Sequence, residues 1–449
     1  MPRLTAGETA RTTGGRLVGD AAAGADTVVA DSRTAGPGTA FVAVRSGHDH
    51  VASALGSGAS FAIVQRAEAV PPDATAVVVD DVEDALARLA TDLRRRLGAH
   101  VVGITGSTGK TITKDLLAAA LRSRFRVHAT AASQNAELGV PLTVLGCPDD
   151  AEILVCELGA RAPGQIAALC EIVAPRIGVI TGIGWSHVEV FGSRDAIAST
   201  KSELLASLPP DGVAVVPAMD EYLHVMAART SAPVRTVGPG GHVRLSDVAV
   251  DPVGRPTATV HLPGGSEVRL RVPLPGRPLL RNGALALAVA VEMGADPHAA
   301  AEAISHAPTS AWRMEVHEIE GRTIVNDAYN ANPTSVPASL RTVMEMAGDR
   351  PAWAVLGEMA ELGPLADEQH RRIGRIAAAL GFEVVAAVGS GAALIAEGAG
   401  GVATRVDDAR EAAELIRTAP AGAVVLVKGS RVTGLERVTR LLTASGVAR

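Results

Sequence analysis

The sequence is poor in cysteine and has no long apolar run. Its 449 residues include three cysteines, Cys147, Cys156 and Cys170, an odd number without the spacing of a metal site. We therefore expect reduced thiols in the core of a cytosolic protein. No apolar stretch reaches the roughly 18 residues of a membrane-spanning helix, and residues 1–4 lack a signal-peptide core. Membrane insertion is not expected.

Aromatic residues and net positive charge are also scarce. Aromatics make up only 2% of the chain, a bias that accompanies abundant alanine, glycine, arginine and valine and carries no functional message. The chain has 42 basic and 48 acidic residues, a net charge of −6, which argues against nucleic acid as a partner. With 47% hydrophobic and 20% charged residues, it is globular and long enough for about three domains.

The clearest pattern in the sequence is a nucleotide-binding loop. An apolar run that ends at Ile104 predicts a buried strand, and Gly106-Ser107-Thr108-Gly109-Lys110-Thr111 follows it before a helical pattern. Glycines here let backbone N–H groups surround phosphate oxygens at a helix N-terminus. Lys110 can reach the terminal phosphates of ATP, and Thr111 can bind Mg²⁺. Ile104 replaces the first glycine of the general motif, but a turn that binds nothing would not need Lys110 and Thr111.

Polar residues follow two other predicted strands. Glu157 follows the strand 153–156, and His187 comes shortly after the strand 177–181. Ligands gather beyond the carboxyl ends of strands in open α/β sheets. A single Glu or His there is usually an ordinary loop residue, but two of them beside a Mg²⁺-nucleotide loop favour metal ligands. Lys201 is predicted on a helix, where a solvated lysine is the ordinary interpretation.

The order of predicted elements divides the chain into three α/β domains. Residues 1–97 form a small N-terminal unit. Residues 98–308 alternate strands and helices, which predicts a central P-loop-type, mostly parallel sheet with helices on both faces, and they contain a β-rich insertion at 243–272. Residues 309–449 repeat βα units, as in a Rossmann-like domain. They lack a Gly-x-Gly-x-x-Gly motif, so dinucleotide binding is not expected.

Nine short motifs occur together over nearly the whole chain. They are Asp31-Ser32-Arg33, Gly103 to Thr111, Glu157-Leu158-Gly159-Ala160-Arg161, His187 with Phe191-Gly192-Ser193, Lys201-Ser202-Glu203-Leu204, Trp312-Arg313-Met314-Glu315, Asn326 to Pro333, Leu356 to Gly363 and Lys428 to Arg431. Together they resemble the Mur ligase family of ATP-dependent amide ligases. The segments 327–333 and 356–363 are most similar to the branch that adds D-alanyl-D-alanine to UDP-N-acetylmuramoyl-tripeptide in peptidoglycan precursor synthesis.

The resemblance implies an ADP-forming ligase. ATP phosphorylates a carboxylate, an amine attacks the acyl phosphate, and closure of the domains assembles the site. The implied catalytic residues are Lys110, Glu157, His187 and Lys201. ATP contacts are implied for the phosphate loop 106–111, Asn282, Arg313 and Asp327. Two Mg²⁺ ions are implied, one held by Thr111 at the phosphates and a second held by Glu157 and His187. Lys201 is implied to be an anionic Mg²⁺ ligand as a carbamate.

The first domain is implied to bind the UDP-sugar. Substrate contacts are implied for Ser32, Arg33, Asn135, Arg161, Asn330, Asn332, Glu358 and Lys428. We expect a cytoplasmic monomer whose partners are small molecules, a nucleotide-sugar peptide or other carboxylate together with an amine or dipeptide.

Several positions depart from the family pattern, mostly where they could alter the acceptor side. The segment from Val44 to His48 is several residues shorter than the family loop that helps to hold the UDP-sugar. Ala136 stands where the family usually has one of two adjacent asparagines. The segment 216–220 lacks an asparagine and an aspartate of the family pattern, and the segment 276–282 lacks a histidine. None of these changes removes an ATP or metal residue.

Two alternatives therefore stay open. The first is a divergent Mur-type ligase that joins another carboxylate and amine in a specialised biosynthetic pathway, which the short loop favours. The second is a nucleotide-binding protein without catalysis. The retained residues Lys110, Thr111, Glu157, His187 and Lys201 argue against this second alternative.

Overall fold

The computed structural model describes residues 3–444. Residues 1–2 and 445–449 lie outside the described residues, so the outer ends of the predicted first and third domains do too. The signal-peptide expectation rests partly on Met1 and Pro2 and therefore stays a prediction. The described chain forms three α/β units, each built on its own sheet, which confirms the predicted fold class. The boundaries at 97/98 and 308/309 stay predictions. Within the described residues, none of the helices combines the length and apolar character needed to cross a membrane.

The first unit contains a five-stranded sheet with the strand order β2-β7-β6-β5-β4, parallel except for the β2–β7 pair, and a short antiparallel pair, β1–β3. Its elements are β1 Leu4–Thr5, α1 Ala6–Thr13, β2 Arg16–Val18, β3 Gly24–Ala25, β4 Thr27–Val29, β5 Thr39–Val42, α2 Val51–Gly56, β6 Phe61–Val64, β7 Ala76–Val78 and α3 Val82–Arg96. Helix α1 was not predicted, although Thr5 and Glu8 form a capping box at its start.

The central unit contains a six-stranded, entirely parallel sheet with the order β13-β12-β11-β8-β10-β9. Its elements up to the insertion are β8 His100–Thr105, α4 Lys110–Arg122, β9 Val127–Ala129, α5 Gly139–Leu145, β10 Ile153–Glu157, α6 Gln165–Val173, β11 Ile177–Ile180, α7 Val188–Phe191, α8 Arg194–Ala206, β12 Val213–Pro217, α9 Leu223–Ala227 and β13 Val234–Val237. Alternate strand residues face two cores. Val101 packs with α3, α5 and α6, and Val102 packs with α4 and later helices.

The predicted β-rich insertion is confirmed as a three-stranded antiparallel sheet. The elements here are β14 Arg244–Val250, β15 Pro256–His261, β16 Glu267–Arg271, α10 Leu279–Glu292 and α11 Pro297–Ser305. Buried side chains of β15 and β16 join the same core as α4, α10 and α11, so the insertion covers one face of the central unit.

The third unit contains a six-stranded sheet with the order β17-β18-β22-β19-β20-β21, parallel except for the β17–β18 hairpin. Its elements are β17 Glu315–Ile319, β18 Arg322–Asn326, α12 Ser335–Ala347, β19 Ala352–Gly357, α13 Ala366–Leu380, β20 Val384–Val388, α14 Ala393–Ala399, β21 Ala403–Val406, α15 Ala409–Arg417, β22 Val424–Lys428 and α16 Arg437–Ala444. Two apolar cores, one on each face, give it the expected Rossmann-like layering.

The three cysteines are free and buried in the core of the central unit. Burial raises the pKa of Cys147 to about 11 and that of Cys170 to about 12. Burial also raises the pKa of Cys156. Because thiolates are the reactive form, these residues are inert core thiols, as the sequence predicts.

Candidate active site

The phosphate loop lies between the two segments that carry Glu157 and His187. Strand β8 has β10 on one side and β11 on the other, and all three run in parallel. Their carboxyl ends therefore meet at one edge of the sheet, where α/β proteins bind ligands. Glu157 is the last residue of β10, and His187 immediately precedes α7. The structure thus brings the predicted phosphate and metal residues together.

Two glycines are required by the shape of the loop. Gly106 and Gly109 have φ angles of +143° and +81°, which side chains of L-residues rarely tolerate. A Cβ atom on Gly106 would clash with Oγ1 of Thr181, and one on Gly109 would clash with Nδ2 of Asn282. The loop therefore packs closely against Thr181, directly after β11, and against α10.

Ser107 and Thr108 attach the loop to the segment that follows β11. The Ser107 hydroxyl donates to the Gly184 carbonyl at 2.9 Å, and the Ser107 N–H donates to the Gly182 carbonyl at 3.0 Å. The Thr181 hydroxyl donates to the Thr108 carbonyl at 2.6 Å. The Ser107 N–H and hydroxyl thus contact protein, and its predicted ATP contact stays a prediction.

Lys110 and Thr111 form the first turn of α4. Lys110 Nζ donates to the Gly106 carbonyl at 2.8 Å, so the side chain folds back over the loop. Burial lowers the pKa of Lys110, while the nearby Glu157 carboxylate opposes this shift. Thr111 is buried, with an exposed fraction of 2%. The Lys110 amine thus lies over the turn where phosphates bind in such loops.

Glu157 has one carboxylate oxygen without a partner. Its Oε1 accepts a hydrogen bond from Nδ2 of Asn135 at 2.6 Å, and its backbone N–H donates to the Thr130 hydroxyl at 3.1 Å. Its Oε2 is buried and has no hydrogen-bond partner. An unpaired, buried carboxylate oxygen is costly. A cation next to Oε2 would remove this cost, so the site fits a metal ion.

His187 lies in the left-handed region, with φ +52°. Its Nδ1 is hydrogen-bonded to Oε2 of Glu361, a residue of the third unit. Burial lowers the pKa of His187, and the Glu361 carboxylate opposes the shift. The neutral form that burial favours is the form that binds metal ions.

Lys201 is buried, so the interpretation as a solvated lysine is wrong. The residue is 1% exposed, and its Nζ donates to the Ala160 carbonyl at 3.4 Å and lies 5.8 Å from the centre of the Phe191 ring. Burial, with a smaller effect of the Lys110 charge, lowers its pKa to about 7. A substantial fraction of this amine is therefore unprotonated at neutral pH.

No three His, Cys, Asp or Glu side chains within residues 3–444 lie close enough together to hold a metal ion. The predicted metal set contributes only two such side chains, Glu157 and His187. The other two predicted ligands are the hydroxyl of Thr111 and the modified form of Lys201, so this ligand set stays a prediction.

Asn282 and Arg313 approach the loop from two directions. Asn282 is buried in α10, and its Nδ2 donates to Oγ1 of Thr113 at 2.9 Å and to the Gly109 carbonyl at 3.3 Å. Arg313 precedes β17. It donates to the Ser133 hydroxyl at 2.9 Å, and its guanidinium carbon lies 3.8 Å from the centre of the Tyr329 ring. Arg313 Nε is buried without a partner. A cation of the third unit thus contacts the central unit.

Two residues predicted to contact different ligands bind each other instead. Lys428 Nζ lies 2.5 Å from Asp327 Oδ2, and the Ser339 hydroxyl donates to the same oxygen at 2.7 Å. Asp327 Oδ1 accepts from the Met314 N–H at 3.2 Å. Both carboxylate oxygens therefore have partners inside the third unit. The predicted ribose contact of Asp327 and substrate contact of Lys428 stay predictions.

The predicted substrate residues of the first and central units contact protein partners of their own. Arg33 pairs with Asp31, with Nη2 2.6 Å from Oδ2, and this pairing lowers the pKa of Asp31 to about 2. Ser32 lies between them in an exposed turn. Asn135 holds Glu157, and Arg161 Nε lies 3.6 Å from Oε1 of Glu361. Arg33 and Arg161 are exposed enough to contact a ligand.

Asn330, Asn332 and Glu358 lie beyond the carboxyl ends of β18 and β19. The Asn330 carbonyl accepts from Lys428 at 2.9 Å, and the Glu358 carbonyl accepts from the Ser430 N–H at 2.9 Å. The Asn332 side chain accepts from the N–H groups of residues 334 and 335 at the start of α12. The Asn332 side chain therefore stabilises the turn that leads into α12, and its predicted role in substrate binding stays a prediction.

Glu361 and Lys114 were not among the predicted site residues. The signal for Glu361 was its place in the family-like segment 356–363. Lys114 lies one turn after Lys110 on α4. Its Nζ donates to the carbonyls of Thr130 at 2.8 Å and Ala132 at 2.9 Å and lies 2.9 Å from Oδ1 of Asp115.

All four lysines of the chain lie inside the protein or at the cleft. Lys114, Lys201 and Lys428 are at most 3% exposed, and Lys110 is half-buried. Only four of the 42 basic residues are lysines, so the scarcity of lysine is itself a compositional signal for these positions.

The comparison with known proteins agrees with this geometry. The family description "Mur ligase middle domain" matches residues 104–290, and "Mur ligase, glutamate ligase domain" matches residues 312–431. A relative from Mycobacterium tuberculosis named UDP-N-acetylmuramoyl-tripeptide--D-alanyl-D-alanine ligase is 39% identical, over 93% of this chain and 92% of its own. A relative of the same name from Bacillus subtilis is 35% identical, over 89% and 88%.

Solved structures are similar over the same span. A crystal structure of MurF from Acinetobacter baumannii matches with a TM-score of 0.88 at 29% identity, over 99% of both chains. The MurF ligase of Thermotoga maritima in complex with ADP matches with a TM-score of 0.79 at 29% identity, over 93% of this chain and 97% of that one. On these similarities and on its own motifs, the chain belongs to the Mur ligase family.

Proposed function

We propose that this chain is an ATP-dependent ligase that joins D-alanyl-D-alanine to UDP-N-acetylmuramoyl-tripeptide. The observation that carries the proposal is the arrangement at one edge of the central sheet. Lys110 lies over the phosphate loop there and interacts electrostatically with Glu157, which has an unpartnered oxygen, and with the buried amine of Lys201. Relatives named for this reaction are similar over nearly the whole chain.

The proposed reaction has two chemical steps. A carboxylate oxygen of the tripeptide attacks the γ-phosphorus of ATP, and the bond to the ADP oxygen breaks. The amino nitrogen of the dipeptide then attacks the acyl-phosphate carbon, loses a proton and displaces inorganic phosphate. Such phosphoryl transfer depends on positioning and charge neutralisation more than on covalent protein chemistry.

The protein supplies positive charge from two units. Lys110 would leave the Gly106 carbonyl and contact the β- and γ-phosphates of ATP. Arg313 would approach the γ-phosphate from the third unit, since its side chain already reaches Ser133 of the central unit. Closure of the two units would exclude water, which would otherwise hydrolyse the acyl phosphate.

We include Mg²⁺ in the proposal because the buried Oε2 of Glu157 fits a cation. When bound, Mg²⁺ neutralises charge on the transferring phosphoryl group. Thr111 would hold one Mg²⁺ at the phosphates, and Glu157 and His187, together with a carbamate on Lys201, would hold a second. The carbamate forms when the neutral amine attacks the carbon of CO₂ and releases a proton. The lowered pKa of Lys201 supports this step, because only the neutral amine is a nucleophile.

We also propose that the enzyme is a cytoplasmic monomer. Its three cysteines are free, as is usual in a reducing compartment. Light scattering on the purified chain checks the mass, and a mass of two or more chains would contradict the monomer.

The reaction is tested by measuring ADP release and product mass with purified enzyme. We expect both only when ATP, UDP-N-acetylmuramoyl-tripeptide and D-alanyl-D-alanine are present together. ADP release with a different carboxylate and amine, but not with UDP-N-acetylmuramoyl-tripeptide and D-alanyl-D-alanine, would favour the divergent Mur-type ligase. The short segment after β5 supports that alternative. It is held in place by His48, whose ring is hydrogen-bonded to the Arg45 carbonyl at 3.1 Å and to the Gln65 N–H at 3.0 Å. No turnover with any pair would favour the non-catalytic protein.

A further inference from the structure

Glu361 of the third unit makes three contacts with the central unit. Its Oε2 is hydrogen-bonded to Nδ1 of His187, and its Oε1 lies 3.6 Å from Nε of Arg161. Its backbone carbonyl accepts from the Glu189 N–H at 3.2 Å. One residue of the third unit thus contacts both the ring and the following turn of a candidate metal ligand.

The turn that carries Glu361 is held firmly on its own unit. The Met359 N–H donates to Nε2 of His370 at 2.9 Å, and the Ala360 N–H donates to the Ser430 hydroxyl at 2.9 Å. Glu361 itself has φ +61°, in the left-handed region. The carboxylate is therefore carried on a fixed turn, and its position relative to His187 depends on how the two units are placed.

The two backbones approach closely at this contact. A Cβ atom on Gly363 would lie 3.1 Å from the Cα atom of Glu189, and Gly363 has φ +52°. Because glycine has no Cβ, the turn can dock directly on the start of α7. A second contact lies nearby, where the Trp185 N–H donates to the Thr334 hydroxyl at 3.1 Å. The contact of Glu361 is thus part of a packed interface between the central and third units.

We infer that Glu361 is a positioning residue that prepares His187 for the metal ion when the third unit closes on the central unit. This inference rests on the proposed role of His187 as a Mg²⁺ ligand. A carboxylate on Nδ1 selects the tautomer with its hydrogen on that nitrogen, and Nε2 keeps a free lone pair. Metal-binding histidines commonly have such a carboxylate partner, which also fixes the ring orientation.

The placement of Glu361 couples the metal site to domain closure. In the open enzyme His187 would lose the carboxylate and with it one restraint on its ring. Closure would therefore tighten metal binding, and by thermodynamic reciprocity the bound metal ion would favour closure. The simpler alternative is an ordinary ion pair between units. Glu361 is 40% exposed, and pairs of this kind usually contribute little, so the two interpretations predict different results.

The test uses the full-length chain with Mn²⁺ as a paramagnetic probe, titrated alone and with ADP. We expect Glu361→Ala to weaken Mn²⁺ binding about tenfold or more, the size typical for partners of metal-binding histidines. Glu361→Gln keeps the size of the side chain and should give a smaller loss, and it serves if the alanine variant does not fold. Glu189→Gln is the matched control, because it removes a charge from the same contact surface but not from His187. It should bind Mn²⁺ as the wild type does.

Small-angle X-ray scattering on the same samples supplies the second measurement. Mn²⁺ with ADP should reduce the radius of gyration of the wild type and the control variant more than that of Glu361→Ala. His187→Ala separates this inference from the proposed function. If His187→Ala weakens Mn²⁺ binding and both Glu361 variants do not, the positioning role is wrong and the metal site stands. If substitution of neither His187 nor Glu361 affects Mn²⁺ binding, both the positioning role and the proposed metal site are wrong.

Discussion

Lys428 and Asp327 form a buried ion pair at the carboxyl ends of neighbouring strands β22 and β18. Their atoms Nζ and Oδ2 are 2.5 Å apart, and the side chains are only 2% and 14% exposed. Each residue has further polar partners, since Lys428 donates to the Asn330 carbonyl and Asp327 accepts from Ser339. The pair therefore holds together the loops that follow both strands.

Removing Lys428 should destabilise the protein strongly. Lys428→Met leaves the Asp327 carboxylate buried without its cation, and we expect a loss of ~3 kcal/mol in the free energy of unfolding. Urea unfolding of the full chain, followed by circular dichroism, measures it. Arg33→Ala is the control, because the Arg33–Asp31 pair is exposed, at 87% and 45%, and its removal should leave the free energy of unfolding nearly unchanged. Equal losses would contradict the structural role of the buried pair.

Lys110→Ala should abolish ATP turnover and leave the fold intact. The side chain lies over the phosphate loop, and loss of one cation at a transferring phosphoryl group should slow ADP release ~100-fold or more. Arg122→Ala, at the exposed end of the same helix α4, should keep normal turnover. Near-normal turnover in the Lys110 variant with an unchanged melting temperature would contradict the phosphate-loop assignment.

Glu157→Gln and His187→Ala should raise the Mg²⁺ concentration needed for half-maximal ADP release and leave ADP binding intact. The reason is the loss of an anionic oxygen or a ring nitrogen at the candidate metal site. Mg²⁺ titrations of activity, with calorimetry for ADP, measure both effects. Glu171→Gln removes an exposed carboxylate from α6 and should match the wild type. A wild-type Mg²⁺ titration in both site variants would remove them from the ligand set.

Lys201 should carry a carbamate in the working enzyme. With ¹³C-labelled bicarbonate, the wild type should show a carbamate resonance in the ¹³C NMR spectrum that Lys201→Ala lacks. The alanine variant should be nearly inactive, and acetate should restore part of its activity by supplying a carboxylate near the metal ion. Full activity in buffer freed of CO₂, with no carbamate resonance, would rule out this role.

Lys201 should also make stability depend on pH. Burial lowers its pKa from 10.5 to about 7, so below pH 7 the amine is charged in both states and the folded chain carries the full cost of the buried charge. Between pH 7 and 10.5 the unfolded chain keeps the proton that the folded chain has lost, so wild-type stability rises.

Lys201→Met has no such group, so its stability relative to the wild type should be greatest at pH 6. The difference should shrink by ~1.4 kcal/mol for each pH unit above 7. Melting temperatures at pH 6 and pH 9, in buffer freed of CO₂, give the comparison. A constant difference would mean that Lys201 does not titrate in this range.

The features that the sequence predicts well depend on local patterns. The phosphate loop between β8 and α4 can be predicted because the strand, the glycines and the start of the helix follow one another within a dozen residues. The β-rich insertion is also a local feature, since buried and less buried residues alternate along β15 and β16. The missed helix α1 had an equally local signal in Thr5 and Glu8.

The features that the sequence could not predict depend on distant partners. Lys428 and Asp327 are 101 residues apart, and His187 and Glu361 are 174 apart. A polar residue just beyond the end of a predicted strand is expected to reach the cleft. The sequence does not indicate which of these side chains bind one another. The burial of Lys201 was hidden for a related reason, because the packing of α8 on the sheet decides it and the helix sequence does not.

The distribution of lysine has a practical consequence for chemical labelling. Arginine supplies nearly all of the 42 basic residues, and within residues 3–444 no lysine lies on the open surface. Acylating dyes, aldehyde cross-linkers and amine-coupling chips therefore find no exposed lysine in that part of the chain, and Lys110, half-buried at the cleft, is the most accessible one. Amine modification that inactivates the enzyme should be slowed by ATP, so a general surface reagent acts here as a probe of the nucleotide site.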